Sequence, residues 1–121
     1  MQAEKIRNIC VVGAGMMGHG IAQVFAAKDF NVYIYARRQE GLQVAIENIR
    51  SNLSRMAKKG VMQESDTEKI IGRIRTTMDM GEATANAHLV IENVSENMEL
   101  KQQFFQELDR LCSPETILTT R

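Results

Sequence analysis

The sequence predicts an α/β domain, a doubly wound parallel sheet with helices on both faces, and three observations carry that reading. Short apolar runs lacking strict alternation fall at 8–12, 32–35, 75–77, 89–92 and 117–119, as strands buried on both faces do. Each is followed by, or separated from the next by, a helical pattern. A glycine cluster, Gly13-Ala14-Gly15-Met16-Met17-Gly18, lies where the first run hands over to the first helical pattern. Right-handed crossovers then favour the strand order 3-2-1-4-5, with a long helical pair between the second and third strands.

The elements follow in chain order. The first strand carries Cys10 in its interior, where a thiol acts as a small hydrophobe. The first helix is expected over 17–28, with Ile21, Val24 and Phe25 on one stripe, and Asp29 follows it. The second helix is the longest, over 39–59: Leu42, Ile46, Ile49, Leu53 and Met56 recur at three- and four-residue steps, and Gly60 is placed to end it. A third helix over 64–74 is expected to open on Ser65 or Asp66 as N-cap. The last helix, over 98–111, turns Leu100, Phe104, Leu108 and Leu111 inward and stops before Ser113-Pro114, as the restriction on residues preceding proline requires.

Composition bounds the function. A chain of 121 residues makes one domain with a single core. Apolar residues are 44% and charged residues 25%, and 15 Lys plus Arg balance 15 Asp plus Glu. That balance gives no bulk attraction to nucleic acid or to an anionic membrane. No apolar run approaches bilayer-spanning length, and Met1-Gln2-Ala3-Glu4-Lys5 lacks the layout of a signal peptide. Cys10 and Cys112 form no C-x-x-C motif and have no metal-ligand spacing, so no metal is expected and a reducing, cytoplasmic address fits.

Between a buried strand and a helix, the glycine cluster takes on chemical meaning. Gly13 permits the tight turn out of the strand, Gly15 lets the backbone approach a pyrophosphate, and Gly18 lets the helix pack close on the strand. Free N–H groups at the helix start, with the positive end of its dipole, are suited to hold phosphates. After the second strand, where NAD-binding domains usually carry an acidic residue for the adenosine 2′-hydroxyl, this chain has Ala36 and then Arg37-Arg38. Removing a carboxylate and adding two guanidinium groups favours a 2′-phosphate, so NADP is expected over NAD. NAD stands as the alternative if the two arginines are solvated loop charges. The fourth strand runs into Glu96, Asn97 and Lys101. There Glu96 is placed for the nicotinamide ribose, Lys101 for a phosphate or a carbonyl oxygen, and Asn97 as an N-cap. His19 and His88 have no carboxylate spaced for general-base work and are expected to be structural.

Taken jointly, these residues resemble the N-terminal domain of the 3-hydroxyacyl-CoA dehydrogenases. The marks are Gly13 to Gly18 continuing into Gly20-Ile21-Ala22-Gln23, the helical excursion ending Lys58-Lys59-Gly60, Leu89-Val90-Ile91-Glu92, Glu96-Asn97 with Lys101, and Phe105-x-x-Leu108-Asp109. The resemblance implies a Rossmann domain that binds the dinucleotide through Gly13, Ala14, Gly15, Met16, Met17, Gly18, Glu96 and Lys101. It also implies CoA contacts at Asn52, Lys59 and Lys101. The implied reaction interconverts 3-hydroxyacyl-CoA and 3-ketoacyl-CoA.

Ala36 and Asp29 depart from the family's usual aspartate and glycine, and the Asp29 departure is cheap because Asp tolerates the left-handed conformation. The family's Asn-Thr-Ser segment, its catalytic His–Glu dyad and its helical substrate and dimerisation domain are implied beyond Arg121. The chain is therefore expected to be the cofactor-binding part of such an enzyme, inactive alone and without catalytic residues of its own. With apolar faces and sheet edges uncovered it is expected to self-associate or to be marginally stable. A stand-alone redox-sensing module and a crystallin-like structural protein are the alternative readings.

Overall fold

The computed structural model describes residues 6–13, 16–92, 106 and 117–120. In chain order the elements are β1 (Asn8–Val12), α1 (Met16–Ala27), β2 (Asn31–Tyr35), α2 (Gln39–Lys58), α3 (Glu64–Gly72), β3 (Ile74–Thr77), α4 (Met80–Thr84), β4 (Leu89–Glu92) and β5 (Ile117–Thr120). The strands form one five-stranded sheet, in the expected order β3-β2-β1-β4-β5, and every pairing is parallel. The last helix expected over 98–111 lies outside the described residues.

Alternation along β1 assigns the two faces. Ile9 and Val11 join one core with Val32, Ile34, Leu42, Ala45, Ile49 and Leu53. Cys10 and Val12 join a second with Met80, Ala83 and Val90. All four of these β1 residues are buried, which is why the run reads as continuously apolar. The first core holds α1, α2 and α3 against the sheet, and the second lies under α4.

The inner stripe of α1 differs from the expectation. Ala22 and Ala26 are fully buried, Ile21 and Phe25 pack partly against the core, and Val24 is 53% exposed. At 100° per residue Val24 sits on the far side from Ala22 and Ala26. Small residues win the sheet-facing positions because they let the helix axis come closer to the strands.

Helix ends are set by local chemistry. Gly60, at φ 78°, ends α2 as expected: Val61 N donates to Met56 O at 3.0 Å and Gly60 N to Ala57 O at 3.1 Å, the paired bonds of a Schellman motif. The same motif closes α1, with Asp29 at φ 73° in the glycine position and Phe30 N donating to Phe25 O at 3.1 Å. The Phe25 and Phe30 rings meet edge to face at 5.5 Å. For α3 the cap is Gln63, not Ser65 or Asp66; Asp66 instead sits inside the first turn and accepts from Gln63 N at 3.2 Å. That helix also stops at Gly72, because the backbone becomes extended at Ile74. The short α4 escaped the periodicity search: five residues are too few to show a period. Asp79 fixes it by accepting from Gly81 N at 2.9 Å and Glu82 N at 3.3 Å.

Arg73, at the α3–β3 junction, holds the far end of α1. It donates to Ala26 O at 2.8 Å and pairs with Asp29 at 3.0 Å. A cation at a helix C-terminus gains from the dipole, and its charged donor gives Ala26 O a second bond beside the one from Asp29 N at 3.2 Å. Arg73→Ala should therefore lower stability by about 1–2 kcal/mol in urea unfolding. Asp29→Gly should stay within about 1 kcal/mol of the parent, since it trades an exposed ion pair for relief at positive φ. A neutral Arg73→Ala would show that the clasp contributes nothing.

Candidate dinucleotide site

Strand order places the candidate site. The chain leaves β1 towards β2 on one side and returns at β4 on the other, so the carboxyl ends of β1 and β4 flank a switch point. In open α/β sheets ligands bind in the crevice outside such a point.

At the end of β1, Gly13 adopts φ 106°, a conformation for which glycine alone is suited. Its N–H donates to Tyr35 O at 2.8 Å, tying the turn to the end of β2, and α1 begins at Met16. The first-turn N–H groups of a helix have no partner within it. No acidic residue stands in the first turn of α1, whereas α2, α3 and α4 carry Glu40, Glu64 with Asp66, and Glu82 there. The α1 end thus presents N–H donors and a positive dipole with no acidic residue in its own first turn, which fits paired phosphates. Ala14 and Gly15 lie outside the described residues. Met16, Met17 and Gly18 open α1, and the expected close packing at Gly18 is not among the described contacts.

At the end of β2, Ala36 N donates to Thr77 O at 3.3 Å, and the position that usually carries the ribose-binding carboxylate is half-buried and apolar. Arg37 and Arg38 are exposed. Arg38 is the N-cap of α2, extended at φ −126° and ψ 142°, with no side-chain capping bond. A guanidinium cannot accept from the helix amides, so this helix start too keeps donors available for an anion. Glu40 in its first turn is the one opposing charge there.

The structure separates the remaining expected residues from this edge or leaves them outside its description. Asn52 and Lys59 both lie at the end of α2: Asn52 is half-buried and Lys59 is the exposed C-cap. Glu96 and Lys101 lie outside the described residues. His88 belongs to the opposite, amino edge of the sheet. Its Nδ1 accepts from Arg7 N and Asn8 N, both at 3.1 Å, and its own N–H donates to Asn8 O at 2.9 Å. That is a strand-entry lock, as expected of a structural histidine.

Two features went unread in the sequence. Glu92, fully buried, ends β4 in register with Val12 and Thr120; a carboxylate closing an apolar run was the available signal. Glu82 joins α4 to the sheet, accepting from Thr77 Oγ1 at 2.8 Å and Tyr33 Oη at 3.3 Å. Among the described residues no group of three or more His, Cys, Asp or Glu side chains could hold a metal ion. No described helix is long and apolar enough to cross a membrane.

Comparisons with known proteins agree with this geometry. Residues 8–121 match the family described as 3-hydroxyacyl-CoA dehydrogenase, NAD binding domain. A "Probable 3-hydroxybutyryl-CoA dehydrogenase" of Bacillus subtilis is 39% identical over 116 residues, covering 96% of this chain and 40% of that protein. The crystal structure of 3-hydroxybutyryl-CoA dehydrogenase from Escherichia coli K12 superposes with a TM-score of 0.92 at 34% identity, over 96% of this chain and 24% of that one. The (S)-3-hydroxybutyryl-CoA dehydrogenase of Ralstonia eutropha superposes equally well, at 0.92 and 30% identity, over 96% of this chain and 41% of that one. The chain therefore spans well under half the length of these relatives. Sheet order, glycine turn and profile converge: the chain belongs to the NAD-binding-domain family of the 3-hydroxyacyl-CoA dehydrogenases.

Proposed function

We propose that the chain is the cofactor-binding domain of an oxidoreductase that interconverts 3-hydroxyacyl-CoA and 3-ketoacyl-CoA, with NADP preferred over NAD. The observation that carries it is the β1–α1 junction, where Gly13 turns the backbone at φ 106° into a helix with no acidic residue in its first turn. The dinucleotide, when bound, accepts or returns the hydride. This chain's part is to bind and orient: Gly13, Ala14, Gly15, Met16, Met17 and Gly18 hold the pyrophosphate on backbone amides, and Glu96 and Lys101 contact the nicotinamide half. Lys59, and with it Asn52 and Lys101, serves the CoA moiety. Neither histidine supplies the base: His88 is committed to the amino edge, and His19 follows the phosphate turn within α1. A cytoplasmic address and a homo-oligomeric assembly belong to the same proposal.

The NADP preference rests on Ala36, the exposed Arg37 and Arg38, and the uncapped start of α2. Charge-assisted hydrogen bonds are each worth roughly 1.5–3 kcal/mol, so the pair should shift preference by one or more powers of ten. Fluorescence titration should show NADPH bound more tightly than NADH, with Arg37→Ala and Arg38→Ala together erasing the difference and leaving NADH affinity nearly unchanged. Equal affinity for both cofactors, indifferent to the substitutions, would remove the 2′-phosphate reading while leaving the phosphate turn intact.

A further inference from the structure

The last turn of α2 and its C-cap hold Arg55, Lys58 and Lys59, all exposed, and no acidic residue stands between Glu47 and Glu64. Among the described residues the ion pairs are Arg50 with Glu68 and Arg73 with Asp29, so Arg55 is paired with neither a helical neighbour nor a facing carboxylate. An unpaired cation at a helix C-terminus is ordinarily a solvated charge that favours the dipole. Arg55 differs because its guanidinium is held. Its Nη2 donates to Asn52 Oδ1. Asn52 Nδ2 in turn donates to Gln23 Oε1 at 3.1 Å, and Gln23 Nε2 reaches Met56 Sδ at 3.9 Å.

This chain of contacts reassigns Asn52. Its carbonyl oxygen and one of its amide hydrogens are already engaged, so it acts as a bracket between α1 and the arginine. The guanidinium keeps its other donors in a planar fork suited to phosphate oxygens. Holding it against Asn52 removes part of the rotamer entropy that binding would otherwise cost. Lys59 lies four residues on, so the two cations share one side of the helix.

We propose that Arg55 is a phosphate-binding residue for the CoA nucleotide, oriented by Asn52 and Gln23 and acting beside Lys59; this rests on the acyl-CoA reading above. Calorimetric titration of the full chain with CoA tests it, with NADPH titration and thermal melting as controls. Losing one oriented charge-assisted contact should weaken CoA binding roughly tenfold in Arg55→Ala, with NADPH affinity and melting temperature unchanged. Arg55→Lys should recover part of the loss, and Asn52→Ala should cost about two- to threefold, since it frees the guanidinium without removing it. An Arg55→Ala penalty that vanishes with 3′-dephospho-CoA assigns the contact to the 3′-phosphate; one that persists assigns it to the pyrophosphate, and either result supports the proposal. CoA bound equally by parent and Arg55→Ala overturns the assignment of Arg55 alone. A parent chain that binds NADPH but no CoA overturns it together with the acyl-CoA reading.

Discussion

Leu53→Ala should lower the unfolding free energy by about 2–5 kcal/mol, a large share of what a domain of this size possesses. Leu53 is 1% exposed and is the last buried residue of α2, in one cluster with Ile49, Leu42, Val11 and Ile34. Truncation removes apolar contact and leaves a void, because the neighbours are pinned from two sides. Ile49 stands one turn earlier on the same helix, and the strands behind are fixed by parallel ladders on both flanks of β1. Urea unfolding followed by far-UV circular dichroism measures the loss directly. A change below about 1 kcal/mol would mean that α2 does not pack where the structure puts it.

Gly13→Ala should damage cofactor binding and stability together. At φ 106° a side chain is strained whatever space surrounds it, at a cost on the order of 1–3 kcal/mol. Relief by rotation would break the bond from Gly13 N to Tyr35 O at 2.8 Å and re-aim the amides that follow. Dinucleotide affinity should then fall by tenfold or more, read by NADPH fluorescence, since each misaimed charge-assisted bond is worth roughly 1.5–3 kcal/mol. Gly20→Ala is the control: a Cβ there meets nothing within 4 Å, and in a helix interior the change should be neutral or stabilising by up to about 1 kcal/mol. Equal behaviour of the two variants would contradict the special conformation of Gly13.

Much of the fold was legible because burial on both faces leaves its mark on composition. β1 and β4 were bounded correctly from their apolar runs, and Gly60 ended α2 where a left-handed residue was needed. What stayed hidden depended on distance rather than polarity. Periodicity favours large apolar residues, so Val24 was placed inside while Ala22 and Ala26 took the sheet-facing positions. Asp79 and Gln63 set helix starts through single local bonds that no period reveals. The site divided in the same way. Its backbone turn follows from glycine spacing, but the Gln23–Asn52–Arg55 contacts join residues on two helices, and nothing in either helix alone announces the other.

β3 forms one margin of the sheet and is only four residues long, with Arg75 exposed near its middle. A second molecule extending the ladder there would bring guanidinium groups close together along a very short seam, with repulsion opposing the few backbone bonds gained. From this flank the protein resists runaway fibre-like growth by virtue of one charged side chain, and any association through strand addition is steered away from it.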